Sequence, residues 1–161
     1  MRRAEREVTG PSQIRRILEE GTVLHLAMHG GAYPYLLPVN YGFTLDESGL
    51  TLFFHGAGEG RKAALLAQDA RVCVEIDCAH QLIPARDGLP CSASYAYASL
   101  VGQGDARRLD DPRDKEAALA AIVSHYGVAP GPFAPEILAR TAVYRIRVES
   151  YQAKCRPALP N

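Results

Sequence analysis

Residues 50–68, LTLFFHGAGEGRKAALLAQ, decide how the rest of the chain is read. Leu50, Leu52, Phe53 and Phe54 give the apolar, aromatic run of a buried strand, and His55 is its last residue. Gly56, Gly58 and Gly60 follow at alternate positions, where the missing Cβ lets backbone N–H groups come close to a ligand. Arg61 and Lys62 then open a helix, at the end where unpaired N–H groups and the dipole already favour an anion. Two cations at that end run against the dipole, so a bound anion is a physical reason for them; together the elements read as a phosphate-binding turn.

The spacing discriminates among phosphate turns. A Walker loop needs Lys directly after its last glycine and then Ser or Thr, whereas Gly60 is followed by Arg61, Lys62 and Ala63. A dinucleotide turn needs G-x-G-x-x-G, and the chain has G-x-G-x-G, although Glu75 and Asp77 lie where a ribose-binding acid would stand. That reading stays open as an alternative, as does a pair of solvated charges on a surface helix.

Around this stretch the pattern is mainly β. Pro11 to Glu20 reads as a short amphipathic helix with proline in its first turn and Gly21 as its stop. TVLHLAM and YLLPVNYGF read as two strands about a tight glycine hairpin, with Pro38 marking an edge, a bulge or a strand that faces a ligand. RVCVEID is a strand, residues 78–91 an irregular loop, and SYAYASLVGQGDARRL a long strand bent at Gly102 and Gly104. DDPRDKEAALAAIVSHYG is the clearest helix, capped by Asp110 or Asp111; a short helix around EILAR and the alternating strand TAVYRIRVESYQAK follow. Strands joined mainly by hairpins predict an antiparallel barrel with peripheral helices and argue against the βαβ units of a dinucleotide domain.

The 161 residues suit one domain, 1–161, with a substantial core. Lys plus Arg and Asp plus Glu balance at 18 each, so no net field draws the chain to nucleic acid or to an anionic membrane. No apolar run approaches the roughly 20 residues of a membrane span, and the charged start predicts a cytoplasmic protein. Cys73, Cys78, Cys91 and Cys155 lack C-x-x-C spacing and read as free thiols, Cys91 being the accessible one. His25, His29, His80 and His125 share no spacing and no accompanying carboxylate cluster, so the sequence assigns no metal site.

FFHGAGEGRKAALL resembles the strand, turn and helix of the flavin-binding split-barrel superfamily of pyridoxamine 5′-phosphate oxidase, most of all its nitroimidazole-resistance-like branch. The opening MRRAEREVTGPSQIRRILEEGTVLHLAM, YPYLLPVNYGF, RVCVEID, ASLVGQGDARRL and TAVYRIRVESYQAK resemble that branch in the same order, so the resemblance spans nearly the whole chain. It implies an antiparallel split β-barrel and a homodimer that binds FMN and reduces nitroaromatic or other small electron-poor substrates. The cofactor contacts it implies are Pro38, Val39, Asn40, His55, Gly56, Ala57, Arg61, Lys62, Tyr97 and Ser99, with His55 as the candidate catalytic group. His55 alone reads equally as a core histidine at a strand end, and Tyr95, Tyr97 and Ser99 equally as a surface or dimer stripe. Ala98 stands where the branch often has an arginine before the serine, which leaves substrate identity open. The other class of function is a flavin or haem carrier without turnover. The pyridoxal-phosphate-forming oxidase itself is disfavoured, because the chain is shorter and lacks the tail motif that binds its substrate.

Overall fold

The computed structural model describes residues 3–86 and 88–157. In chain order they form β1 (Glu7–Val8), α1 (Pro11–Glu20), β2 (Leu24–Met28), β3 (Tyr35–Val39), β4 (Tyr41–Asp46), β5 (Gly49–Gly56) and α2 (Arg61–Gln68). They continue with β6 (Arg71–Ile83), β7 (Ser94–Leu109), α3 (Pro112–His125), α4 (Pro135–Arg140) and β8 (Ala142–Arg156). One antiparallel sheet runs β3-β2-β6-β7-β8-β5-β4, with β1 added to β8. This is the mainly β, antiparallel barrel with peripheral helices that the pattern predicts, in the split form that the resemblance implies.

The barrel closes at one residue. The sheet's two edge strands, β3 and β4, are consecutive in sequence and separated only by Asn40, so the sheet must curl until its edges meet there. YLLPVNYGF is therefore two strands and not the one expected, and Pro38 sits on an edge strand, where its missing N–H costs no ladder bond. The expected tight glycine hairpin is instead the longer link 29–34 between β2 and β3. The expected loop 78–91 is also shorter than read. β6 continues to Ile83 past an irregularity between Cys78 and Gln81, pairing with β7 as a long arm.

Alternation sorts the side chains into an interior and an outer layer. Inside the barrel, Leu24, Leu26, Leu52, Phe54, Val74, Ile76, Leu100 and Ile146 are fully buried, and α1 fills the interior with Ile14, Ile17 and Leu18. On the outer face of β5 and β8, α3 lays Ala118, Leu119 and Ile122 over Val143 and Phe53. Asp111 caps α3 by accepting from the N–H groups of Arg113 and Asp114. A Cβ at Gly42 would come within 2.5 Å of the Ala121 carbonyl carbon, so only glycine lets this helix approach so closely. The far end of α3 is tied to the end of α1: Tyr126 Oη donates to Thr22 O (2.8 Å), and His125 Nε2 lies 2.8 Å from Gly21 O.

Candidate functional site

The turn predicted to hold phosphate is built as its sequence suggests. β5 delivers Phe54 to the interior and His55 to the outer side, Gly56 ends the strand, and Gly60 supplies φ 95°, a backbone that side chains rarely adopt, just before α2. No side chain caps α2, so its first N–H groups face the turn without a protein acceptor from that position.

Arg61 and Lys62, adjacent in sequence, diverge because consecutive helical residues point about 100° apart. Lys62 folds back over Gly56, whose Cβ position lies against its Nζ; a side chain at 56 would displace the lysine. Its Nζ lies 5.4 Å from the ring centres of both Phe54 and Tyr144, which stack 4.9 Å apart at 6°. Burial there lowers the Lys62 pKa from its usual range. Arg61 turns the other way, its guanidinium 4.6 Å over the Tyr35 ring and donating to Gly30 O at 3.3 Å. Among the described residues neither cation has a carboxylate within ion-pair distance. Two cations, one of them desolvated, thus flank an uncapped helix start, which is the donor set a phosphate monoester needs.

Beside the turn lies a cavity of 390 Å³ lined by Gly58, Gly60, Ala63, Ala67, Arg108 and Tyr144. A larger one, of 540 Å³, lies on the β2–β3 side and includes Gly30, Arg71, Cys73 and Gln103. Size alone favours the second, but the first holds the glycines of the turn, and Arg61 reaches only the rim of the larger one through Gly30.

His55 pairs with Val143 across β5 and β8, on the same face as Phe53. It is exposed at its surface, yet partial burial and then the Lys62 charge hold its pKa below the ordinary 6.5. A histidine whose folded pKa is depressed binds protons less readily folded than unfolded, so its contribution is intact above pH 6.5 and is lost as pH falls below it. A His55→Gln variant is therefore expected to lose less melting temperature than the parent between pH 7 and pH 5, read by thermal denaturation at both values. Equal losses would contradict this.

Ala57 is an exposed member of the turn itself. Asn40, exposed, directly precedes Tyr41, which pairs with Phe54, so it stands next to the end of β5; before it on the β3 edge Pro38 is exposed and Val39 packs half-buried on the interior. Tyr97 and Ser99 are half-buried on the outer face of β7, opposite Arg156 and Lys154 of β8. Gly56 pairs with Ala142, so Ser99 lies 12 residues further along β8 (154 − 142), about 40 Å of strand. Sequence reasoning missed Tyr35 under Arg61 and Tyr144 under Lys62. Each stands in a segment that carries the resemblance, YPYLLPVNYGF and TAVYRIRVESYQAK, but no local pattern marks either as a contact, and only the strand register brings them to the turn.

An antiparallel barrel split between β3 and β4, with a basic, glycine-lined helix start at its rim, defines a split-barrel protein. A family model described as pyridoxamine 5′-phosphate oxidase matches residues 11–155, and the chain belongs to that family. Among solved structures, one from Bacteroides thetaiotaomicron, described as a 5-nitroimidazole antibiotic resistance protein, aligns with TM-score 0.79 at 23% identity over 92% of this chain and 86% of its own. A FAD and haem binding protein from Mycobacterium smegmatis aligns at 0.79 and 17% identity, over 97% and 76%. The flavocytochrome Anf3 from Azotobacter vinelandii aligns at 0.77 and 18% identity, over 100% and 75%. At these identities the likeness is one of fold. Among curated proteins none matches the chain. No helix among the described residues is long and apolar enough to cross a membrane.

Proposed function

We propose that the chain is one FMN-binding domain, 1–161, that works in the cytoplasm as a homodimeric flavin oxidoreductase on small electron-poor substrates such as nitroaromatics. The observation that carries this reading is Lys62: a partly desolvated ammonium with no carboxylate within ion-pair distance among the described residues, beside an uncapped helix start and a glycine at φ 95°. Bound FMN supplies the electron transfer, and the protein binds and orients it. Lys62, Arg61, Gly56, Ala57 and the first N–H groups of α2 would take the phosphate. Pro38 and Val39 would line the ring's approach, and Asn40, with an amide that both donates and accepts, matches the amide-like edge of a flavin ring. His55, neutral at pH 7 because its pKa is depressed, would hold or pass a proton near the reacting ring.

Strand register supports the homodimer. Tyr97 and Ser99 are too far along β8 to serve the turn of their own chain, so in this reading they contact the flavin held by a second copy. The exposed Tyr95 and Val101 on the same face supply apolar contact area for that copy. Light scattering is expected to give twice the chain mass, and a clean monomer at micromolar concentration would sink the shared site.

The test of function is the absorption spectrum of the protein reconstituted with FMN, followed by steady-state reduction with NADH or NADPH and a nitroaromatic acceptor. Flavin bands with turnover are expected. A Soret band, or bound flavin that never turns over, would favour the second reading, a flavin or haem carrier; the names of the M. smegmatis and A. vinelandii neighbours give that reading its support.

A further inference from the structure

We propose that His25, Glu75, Asp77 and His80 form a binding site for a divalent transition metal on the outer face of β2 and β6. These residues show no metal-binding spacing in the sequence, and the sheet assembles them. Antiparallel register sets His25 of β2 directly opposite Glu75 of β6, and His25 Nδ1 lies 2.8 Å from Glu75 Oε2. Asp77 is two residues further along β6 and so on the same face. One ligand atom from each of His25, Glu75 and Asp77 lies within 4.8 Å of the others.

His80 joins them through a break in the strand. Three positions apart in a regular strand, Asp77 and His80 would point to opposite faces. The register shift between Cys78 and Gln81, with Ala79 at φ 57°, reverses that parity and brings His80 Nε2 to 2.7 Å from Asp77 Oδ2. All four side chains are between 34 and 45% exposed, so a hydrated ion can enter and exchange its waters for them.

Two imidazoles and two carboxylates suit zinc or a similar first-row ion and not magnesium or calcium, which take oxygen ligands alone. Zinc bonds of about 2.0–2.2 Å place neighbouring ligand atoms roughly 3.3 Å apart in a tetrahedron. The two histidine–carboxylate contacts are already shorter than that, and side-chain rotation closes the remaining gap. A metal here would tie β2 to the arm that β6 forms beyond its break.

Glu75 and Asp77 stand opposite Val101 and Ser99, so the site borders the face proposed to meet a second copy; it is tested without flavin, by a readout that does not depend on flavin binding or turnover. The untagged chain is stripped with a chelator, desalted and titrated with zinc by calorimetry, with its melting temperature followed in parallel. One saturable equivalent per chain, a raised melting temperature and indifference to excess magnesium are expected. Glu75→Gln and Asp77→Asn preserve shape and hydrogen bonding while removing charge, and each is expected to weaken zinc at least about tenfold, as is His25→Ala. Absence of a saturable equivalent would overturn the site, and so would affinity unchanged in both Glu75→Gln and His25→Ala. His80→Ala with undiminished affinity would overturn the fourth ligand.

Discussion

Phe54→Ala is expected to cost about 3–5 kcal/mol of folding stability, the range for deleting a buried aromatic from a close-packed core. Phe54 has 0% exposure, and its ring is stacked on Tyr144 at 4.9 Å, so its removal opens a void over the interior face of β5 and β8 that neither strand can close without breaking its ladder. The adjacent Phe53 is half-buried against α3 on the opposite face, and Phe53→Ala is expected to cost less. Urea denaturation of both variants measures the difference. A loss under about 1 kcal/mol for Phe54→Ala would show that the interior tolerates the void and that the platform beneath Lys62 is not part of the core.

The second large effect falls on binding. On the proposed reading, Lys62→Met weakens FMN by about one to two decades, because a charge-assisted hydrogen bond is worth roughly 1.5–3 kcal/mol. Methionine keeps the apolar stem over the Phe54 and Tyr144 rings while removing the ammonium. The apo-protein is therefore expected to be as stable as the parent or slightly more so, since a desolvated charge is gone. Arg107 is the control: it is exposed on the outer face of β7 and bound to Asp105 at 3.4 Å, on the opposite face of the strand from Arg108, which lines the cavity beside the turn. Fluorescence titration of FMN into Lys62→Met and Arg107→Ala separates the two, and superimposable curves would remove Lys62 from the phosphate site.

Much of the candidate site was legible because its parts are contiguous. Strand, glycine turn and basic helix start occupy 19 positions, 50–68, and the geometry of each is dictated by residues within a few places of it. The α3 boundaries, the edge position of Pro38 and the long strand 94–109 were readable for the same reason, since caps, proline and alternation act locally. The chain's family resemblance supplied what local rules could not, the split form of the barrel.

What the sequence by itself determined about this protein is thus its period, its punctuation and one anion-ready turn, because these depend on bonding between near neighbours. Only the tertiary structure decided which distant residues meet. Asn40 joins the two edges of the sheet, Tyr35 and Tyr144 lie beneath the two cations, and Tyr97 and Ser99 pair with the far end of β8 from the turn of their own chain. The four groups read as lacking any carboxylate company include two, His25 and His80, that the sheet sets against Glu75 and Asp77. The physical reason is register: His25 and Glu75 are 50 positions apart in sequence, and the hydrogen-bond ladder, not the local chain, makes them neighbours.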